Sequence, residues 1–151
     1  MEKTGPHSRI IEGIDLSKRP IHLNPPINNH VTAEVLEAFN FDGPSFERYI
    51  ESHCSEEDPG RLIMIEVTPA DWTTWERHPL GDEIVIVLSG EGDFIQQIDN
   101  QEIRIPVSPG VTVLNPTGVW HTADVRESIR GVPTPGWIQS LSLRGVCACP
   151  E

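Results

Sequence analysis

The stretch WERHPLGDEIVIVLSG, residues 75–90, places three side chains that could bind a metal at the head of an apolar run. These are Glu76, His78 and Glu83, and the β-branched residues that follow them end at Gly90. Residues two apart in a strand point to the same face, so we expect Glu76 and His78 to project together. The run after Glu83 has the length and composition of a buried strand.

The chain is predicted to reverse direction within this stretch, in the segment HPLGDE. Pro79 and Gly81 are turn-forming residues, so an antiparallel neighbour is expected to place Glu83 opposite His78. His121 stands on a later predicted strand, just past the β-turn NPTG. If these strands line one barrel, four oxygen and nitrogen ligands of a metal converge there.

Composition limits the classes of function. The chain has 151 residues, the size of one domain, and 23 acidic against 11 basic side chains give a net charge of −12. Such a charge disfavours nucleic-acid and anionic-membrane partners. No apolar run approaches the roughly 20 residues of a membrane helix. The N-terminal segment MEKTGPHSRIIEG lacks the apolar core of a signal peptide, so we expect a cytoplasmic protein.

The cysteines do not have the spacing of a zinc site. The chain has three, Cys54, Cys147 and Cys149, and only one residue separates the last two. Structural zinc sites usually have two to four residues between paired thiols. We therefore predict reduced thiols without a structural role in metal binding.

Many short elements joined by turns are expected, because 14 prolines and 12 glycines are scattered along the chain. From residue 61 onward the pattern predicts about eight strands, typical of a β-sandwich or small barrel. The segment GEG at residues 90–92 is predicted to be a hairpin turn. The hairpin FIQQI-DNQ-EIRIPV follows it.

The proline-rich N-terminal region predicts an arm with one short edge strand around Ile21 to Leu23. Two short helices are predicted after it. The first lies within residues 31–40, where apolar side chains recur at helical spacing. The second begins with Ser45 as its N-cap and has Phe46 and Tyr49 on its apolar face.

The later motif resembles the second motif of the cupin family. In GVTVLNPTGVWHTADV, four residues stand at the spacing of that motif: Gly110, Pro116, Gly118 and His121. Val125 replaces the final Asn of the family pattern.

The earlier stretch resembles the first cupin motif. His78, Glu83 and Gly90 are in register with it, whereas Ala70 replaces its opening Gly and Glu76 replaces its first His. The signature WERHPLGDE is similar to that of a subset of small, mostly uncharacterised cupins. The resemblance spans residues 61 to 125.

The resemblance implies an all-β fold, a double-stranded β-helix (jelly-roll) cupin barrel with an N-terminal arm and one or two short helices. One domain is expected overall. Residues 1–58 would form the arm and short helices packed on the barrel, 59–145 the cupin barrel, and 146–151 a C-terminal tail.

The resemblance also implies one divalent metal ion, Fe, Mn or Zn, held by Glu76, His78, Glu83 and His121. Two His and one carboxylate suffice for such ions, so the loss of the first His does not remove the site. Glu76 has three interpretations: a fourth ligand, a base beside the metal, or a carboxylate paired with a barrel arginine. The alternative is a metal-free barrel in which both histidines hydrogen-bond Glu83.

Two functions follow. The first is a metalloenzyme acting on a small organic molecule by oxygenase, isomerase or lyase/hydrolase chemistry, with Glu76 as the candidate catalytic base. The second is a non-catalytic cupin that binds a small ligand or metal. Trp72 is expected to face the interior as a pocket wall or as a core aromatic. A homodimer formed through the arm is also predicted.

Three more side chains have expected roles. Asp82 should point away from Glu83 and stabilise the turn. Gln96 could offer an amide to a ligand, although the sequence does not settle which way it faces. Trp120 is out of phase with His121 and is expected to pack outside the barrel.

Overall fold

The computed structural model describes residues 13–38, 43–53 and 60–135, together with the backbone of 140–143. Over these ranges the chain forms ten strands and one helix. The first elements are β1 (Ile21–Leu23), β2 (Ala33–Val35), α1 (Pro44–His53), β3 (Arg61–Ile63) and β4 (Glu66–Thr68). The later elements are β5 (Thr74–Arg77), β6 (Glu83–Ile98), β7 (Gln101–Val107), β8 (Thr112–Asn115), β9 (Trp120–Pro133) and β10 (Ser140–Leu143).

A larger sheet has the order β10-β5-β9-β6-β7, with β4 also pairing with β9 and β8 with β6. All of these pairings are antiparallel. The long strands β6 and β9 each exchange partners along their length, which lets one sheet curve around an interior. The predicted all-β jelly-roll fold is confirmed.

The sequence alternation of β6 decides what faces this interior. Val85 and Val87 are buried at 6% and 1% exposure, whereas Ile84 and Ile86 are 42% and 40% exposed. The buried side chains join an apolar core with Phe94, Val107, Val113, Ala123 and Ile129. Because Glu83 is in phase with Val85, it too points inward.

The segment at residues 90–92 is not a turn, contrary to the prediction. β6 continues through it, and its register with β9 shifts between Val87 and Gly92. Gly90 has a φ of +85°, and a Cβ there would overlap the carbonyl group of Ser128. The glycine therefore serves a bulge and a close approach of two strands, which bends β6 without ending it.

A smaller sheet of order β2-β1-β3 carries α1. The helix predicted within residues 31–40 is wrong, because Ala33–Val35 instead pair with β1. This pairing also makes β1 the central strand and not an edge strand. Short apolar spacing does not separate helix from strand, and here a partner strand supplies the backbone hydrogen bonds.

The second predicted helix is confirmed as α1, although it begins one residue before the predicted N-cap. The carbonyl of Gly43 accepts a hydrogen bond from the Phe46 amide at 3.0 Å. Pro44 occupies the first helical position, where a missing N–H costs nothing. The helix packs Tyr49 against Leu36 and Leu62.

Some predictions fall on residues that the structure does not describe. These are the three cysteines, residues 1–12 of the arm, and the tail 146–151. Within the described chain, α1 is too short to cross a membrane, and no other helix is present there to do so.

Candidate metal centre

Strands β5 and β9 place the first two candidate ligands side by side. Glu76 of β5 is the register partner of His121 of β9. Two hydrogen bonds hold β5 and the segment before it against β9: Thr122 Oγ1 donates to the carbonyl of Thr74, the first residue of β5, at 2.8 Å, and the Trp72 amide donates to the Ala123 carbonyl at 2.9 Å. Glu76 and His121 therefore lie on the same face of two strands that these hydrogen bonds hold together.

His78 follows β5 directly and completes a group of three. The ligand atoms of Glu76, His78 and His121 all lie within 4.8 Å of one another. The two imidazole rings are stacked with a centroid separation of 5.2 Å. His78 and His121 are almost fully buried, whereas Glu76 is half-buried. The sequence-predicted residues thus meet in the interior, and their donor atoms could hold a divalent cation.

Glu83 joins the group from a different strand. Its Oε2 atom lies 3.3 Å from Nε2 of His78 and 3.3 Å from Nε2 of His121. The strand pairing predicted to bring Glu83 opposite His78 was wrong, however. β5 and β6 do not pair, because β9 lies between them. Glu83 instead pairs with Asn115 of β8. The convergence with His78 occurs across the curved sheet and not within a hairpin.

A chain of buried amides orients Glu83. Asn115 Nδ2 donates to Glu83 Oε2 at 2.8 Å, and Gln96 Nε2 donates to Asn115 Oδ1 at 2.9 Å. Gln96 also donates to the Leu114 carbonyl at 2.7 Å. Gln96 therefore faces the interior but serves the site through Asn115. The sequence analysis did not identify Asn115 as a site residue. Because Asn115 is two residues from the buried Val113 on β8, the strand alternation indicates that it also points inward.

The two carboxyl groups differ in ionisation. Burial raises the pKa of Glu83, but the imidazoles of His121 and His78 outweigh burial and lower it to about 2. Burial raises the pKa of Glu76, and the charge of Glu83 adds to this, while the imidazoles offset only part of it. Glu83 is thus the fixed anion, and Glu76 is the carboxyl that holds a proton more readily.

His121 meets the chemical requirements of a metal ligand. Its Nδ1 lies 3.1 Å from the Val119 carbonyl, so a neutral ring donating that bond carries its free lone pair on Nε2. This buried Nε2 atom lies 3.3 Å from Glu83 Oε2 and makes no hydrogen bond of ordinary geometry within the described chain. A donor set of two imidazoles and a carboxylate suits Fe, Mn or Zn better than soft Cu(I).

Hydrogen bonds link the loop between β5 and β6 to the loop between β8 and β9. Asp82 accepts hydrogen bonds from the Thr117 amide at 2.8 Å and from its hydroxyl at 2.7 Å. The Gly118 amide donates to the His78 carbonyl at 3.0 Å. The predicted turn-stabilising role of Asp82 is confirmed, and Thr117 lowers its pKa by these hydrogen bonds.

The aromatic residues border the site. The Trp72 ring is half-buried, with its centroid 6.0 Å from Phe94 and 6.3 Å from His121. It therefore packs on the core and also reaches the candidate ligands. Trp120 is half-buried, and the Arg77 guanidinium lies 4.8 Å from its ring centroid. This arginine does not pair with Glu76, its neighbour on β5, within the described residues.

Comparison with known proteins identifies the class. Residues 63–128 match the family model of the Cupin domain. Residues 63–128 of this chain therefore form a cupin domain. No protein with curated annotation matches its sequence.

Several solved structures are similar to part of this chain at low identity. The hydroxypropylphosphonic acid epoxidase from S. wedmorenis in complex with fosfomycin has a TM-score of 0.45 and 14% identity, over 51% of this chain and 44% of the epoxidase. This chain thus spans less than half of that protein. A cupin-2 domain containing protein from Shewanella frigidimarina NCIMB 400 has a TM-score of 0.43 and 18% identity, over 66% and 95% of the two chains. Ectoine synthase from P. lautus has a TM-score of 0.42 and 15% identity, over 60% and 74%.

Proposed function

We propose that this protein is a metal-dependent cupin enzyme that acts on a small organic molecule. The observation that carries the proposal is the convergence of ligand atoms from Glu76, His78 and His121 within 4.8 Å, inside a largely apolar barrel. The buried Nε2 of His121 supports it, because this atom lies 3.3 Å from the Glu83 carboxylate and makes no hydrogen bond of ordinary geometry within the described chain. A buried polar atom is costly unless it gains a partner.

In this proposal Glu76, His78 and His121 hold one divalent ion, Fe, Mn or Zn, and Glu83 stands beside them. The bound ion would supply Lewis acidity or, as Fe, redox chemistry. The chain itself orients the site: Val119 fixes the His121 ring, and Asn115 fixes Glu83.

If Glu76 stands beside the ion and does not coordinate it, Glu76 is the proposed proton carrier. Its pKa is raised by burial, which suits a carboxyl that accepts and returns a proton. Trp72 is the proposed pocket wall, because its ring lies between the core and His121. These two side chains would exclude water from one side of a bound molecule and move a proton at its reacting atom.

Metal content tests the metal site. Purified protein is expected to contain one equivalent of metal by mass spectrometry of the elements, and His121→Ala is expected to lose it. His30→Ala is the matched control, since His30 is exposed and lies outside the site. Wild-type protein that binds no added Zn(II), Mn(II) or Fe(II) would refute the metal site.

Catalysis is tested separately by incubating the metal-loaded protein with a library of small carboxylates, ketones and sugars and measuring their consumption. His121→Ala should abolish consumption of any compound that the wild type converts. A compound that binds the loaded protein and is never converted would instead establish the non-catalytic alternative.

The homodimer stays a prediction, because residues 1–12 of the arm lie outside the described residues. Light scattering coupled to size exclusion tests it, and a monomer at micromolar concentration would contradict it.

A further inference from the structure

A buried histidine outside the barrel lies where α1 packs on the smaller sheet. His22 of β1 is fully buried, and its Nδ1 atom lies 2.9 Å from the hydroxyl oxygen of Tyr49 on α1. The two ring centroids are 5.6 Å apart in an edge-to-face arrangement. This contact is a buried polar link between the helix and the sheet.

A second polar contact joins the same helix to the same sheet. Nε2 of His53, in the last turn of α1, lies 3.1 Å from Oε2 of Glu34 on β2. Glu34 is the register partner of His22, so the two side chains lie on one face of the sheet. The ring centroids of His53 and His22 are 4.9 Å apart. Two imidazoles therefore stand side by side between the helix and the sheet.

The surroundings of His22 suit a neutral ring and not a charged one. A neutral imidazole carries one N–H group, which can be placed on Nδ1 and donated to the Tyr49 hydroxyl. A protonated ring carries a second N–H group, on Nε2. That atom is buried and makes no hydrogen bond in the described part of the chain. It also lies so close to Gly60 that a Cβ there would be 2.9 Å away. A second proton would therefore be buried without an acceptor, which is costly.

The titratable groups that face His22 do not offset this cost. They are Tyr49 and His53 on α1 and Glu34 on β2, while the β3 partner of His22 is the apolar Leu62. A protonated His53 has Glu34 as its counter-ion at 3.1 Å, and its charge then opposes a second charge on His22. Burial, and then the charge of His53, lower the pKa of the His22 imidazole, and the charge of Glu34 offsets only part of this.

Release of α1 would uncover an apolar surface. The helix and the smaller sheet share a core that is separate from the barrel core and contains Leu36, Tyr49 and Leu62, bordered by Phe46, Ile50 and Met64. A helix of ten residues is marginal by itself in water, so α1 depends on these contacts. Loss of docking would therefore unfold α1 and leave the barrel core intact.

We propose that His22 is an acid-sensitive latch, in which protonation of its ring releases α1 from the smaller sheet and exposes the apolar core between them. The docked state excludes the second proton and the released state accepts it. Docking is therefore stable above the ordinary imidazole pKa of 6.5 and weakens as the pH falls below that value. The latch does not require the candidate metal, because none of its residues belongs to that site.

Hydrogen–deuterium exchange of the full chain, followed by mass spectrometry and corrected for the intrinsic effect of pH, measures the docking of α1. Between pH 7.5 and pH 5.0 the amides of α1 should lose protection by about tenfold or more, while those of β6 stay protected. A dye that fluoresces on apolar surfaces should bind over the same pH range. Constant protection of α1, or loss of protection in α1 and β6 together, would overturn the proposal.

A variant that cannot take up the proton tests the role of His22. His22→Gln is neutral throughout this range, and its amide can still form a hydrogen bond with the Tyr49 hydroxyl. It should keep α1 protected at pH 5.0. The control His30→Gln changes an exposed histidine and should release the helix as the wild type does. Equal release of α1 at pH 5.0 in His22→Gln and the wild type would refute the latch.

Glu34→Gln decides the matter if His22→Gln fails to hold α1 even at pH 7.5. The Glu34 side chain is 53% exposed, so this change is compatible with folding. It removes the counter-ion of protonated His53 and also makes protonation of docked His22 less favourable. The pH at which half of α1 is released should therefore rise. A midpoint that stays the same or falls would contradict the proposal.

Discussion

Glu76 lies directly opposite His121 in the pairing of β5 with β9. A residue pair in this position shares one face of the sheet, so the carboxylate stands beside the imidazole. The replacement of the first motif histidine by Glu76 therefore keeps a donor atom at the site and changes its charge. In the proposed metal site, Glu76 would therefore be the residue on which the metal preference depends.

The first prediction concerns Glu76 as a ligand. Glu76→Gln should weaken Zn(II) affinity by at least about tenfold, because the neutral amide is a poorer donor. Glu76→His should retain binding, since it restores an imidazole at the same point of the sheet. Competition with a coloured chelator measures both. Glu102→Gln is the control, and a Glu76→Gln variant with unchanged affinity would show that Glu76 does not coordinate.

The second prediction concerns the amide that orients Glu83. Asn115→Ala should lower the free energy of unfolding by about 1–3 kcal/mol, because buried donors and acceptors lose their partners. Gln96 would lose one of its two acceptors, and Glu83 would lose the amide donor of Asn115. Chemical denaturation measures the change, with the exposed Thr112→Ala on the same strand as control, expected within about 0.5 kcal/mol of wild type. Equal stability of the two variants would contradict the role of Asn115.

The third prediction concerns the bulge in β6. Gly90→Ala should lower the free energy of unfolding by about 3 kcal/mol or more, because backbone strain adds to overlap with Ser128. Gly110→Ala is the matched control. Gly110 has a similar φ of +92° but no atom within 4 Å of an added Cβ, so only strain of about 1 kcal/mol is expected. Equal losses in the two variants would show that the close approach is unimportant.

The fourth prediction concerns stability against pH. Burial of Glu66 on β4, and then the charges of Glu76 and Glu83, raise the pKa of its carboxyl from the ordinary value of 4.5 to about 7 in the folded metal-free protein. Between these values the folded state binds more protons than the unfolded state, so stability falls as pH rises. The wild type should lose on the order of 3 kcal/mol relative to Glu66→Gln across this interval. Denaturation of metal-free protein at several pH values measures the difference, and parallel pH profiles would contradict it.

Two errors in the sequence interpretation arose where strand pairing overrode a local sequence pattern. The segment at residues 90–92 has turn-like composition, yet the partner strand β9 continues past it, so the glycines serve a bulge. Residues 31–40 have helical spacing, yet Ala33–Val35 find a strand partner in β1. In both places a distant segment outweighed the local preference.

The sequence by itself determined the residue types of the site and the face on which most of them lie. Strand alternation and the two motif spacings are local properties, so Glu76, His78, Glu83 and His121 could be named from them. Only the tertiary structure decided that β9 lies between β5 and β6. The contribution of Asn115 also depends on strands distant in sequence, because the curvature of the sheet, and not the residue spacing, sets which side chains meet inside the barrel.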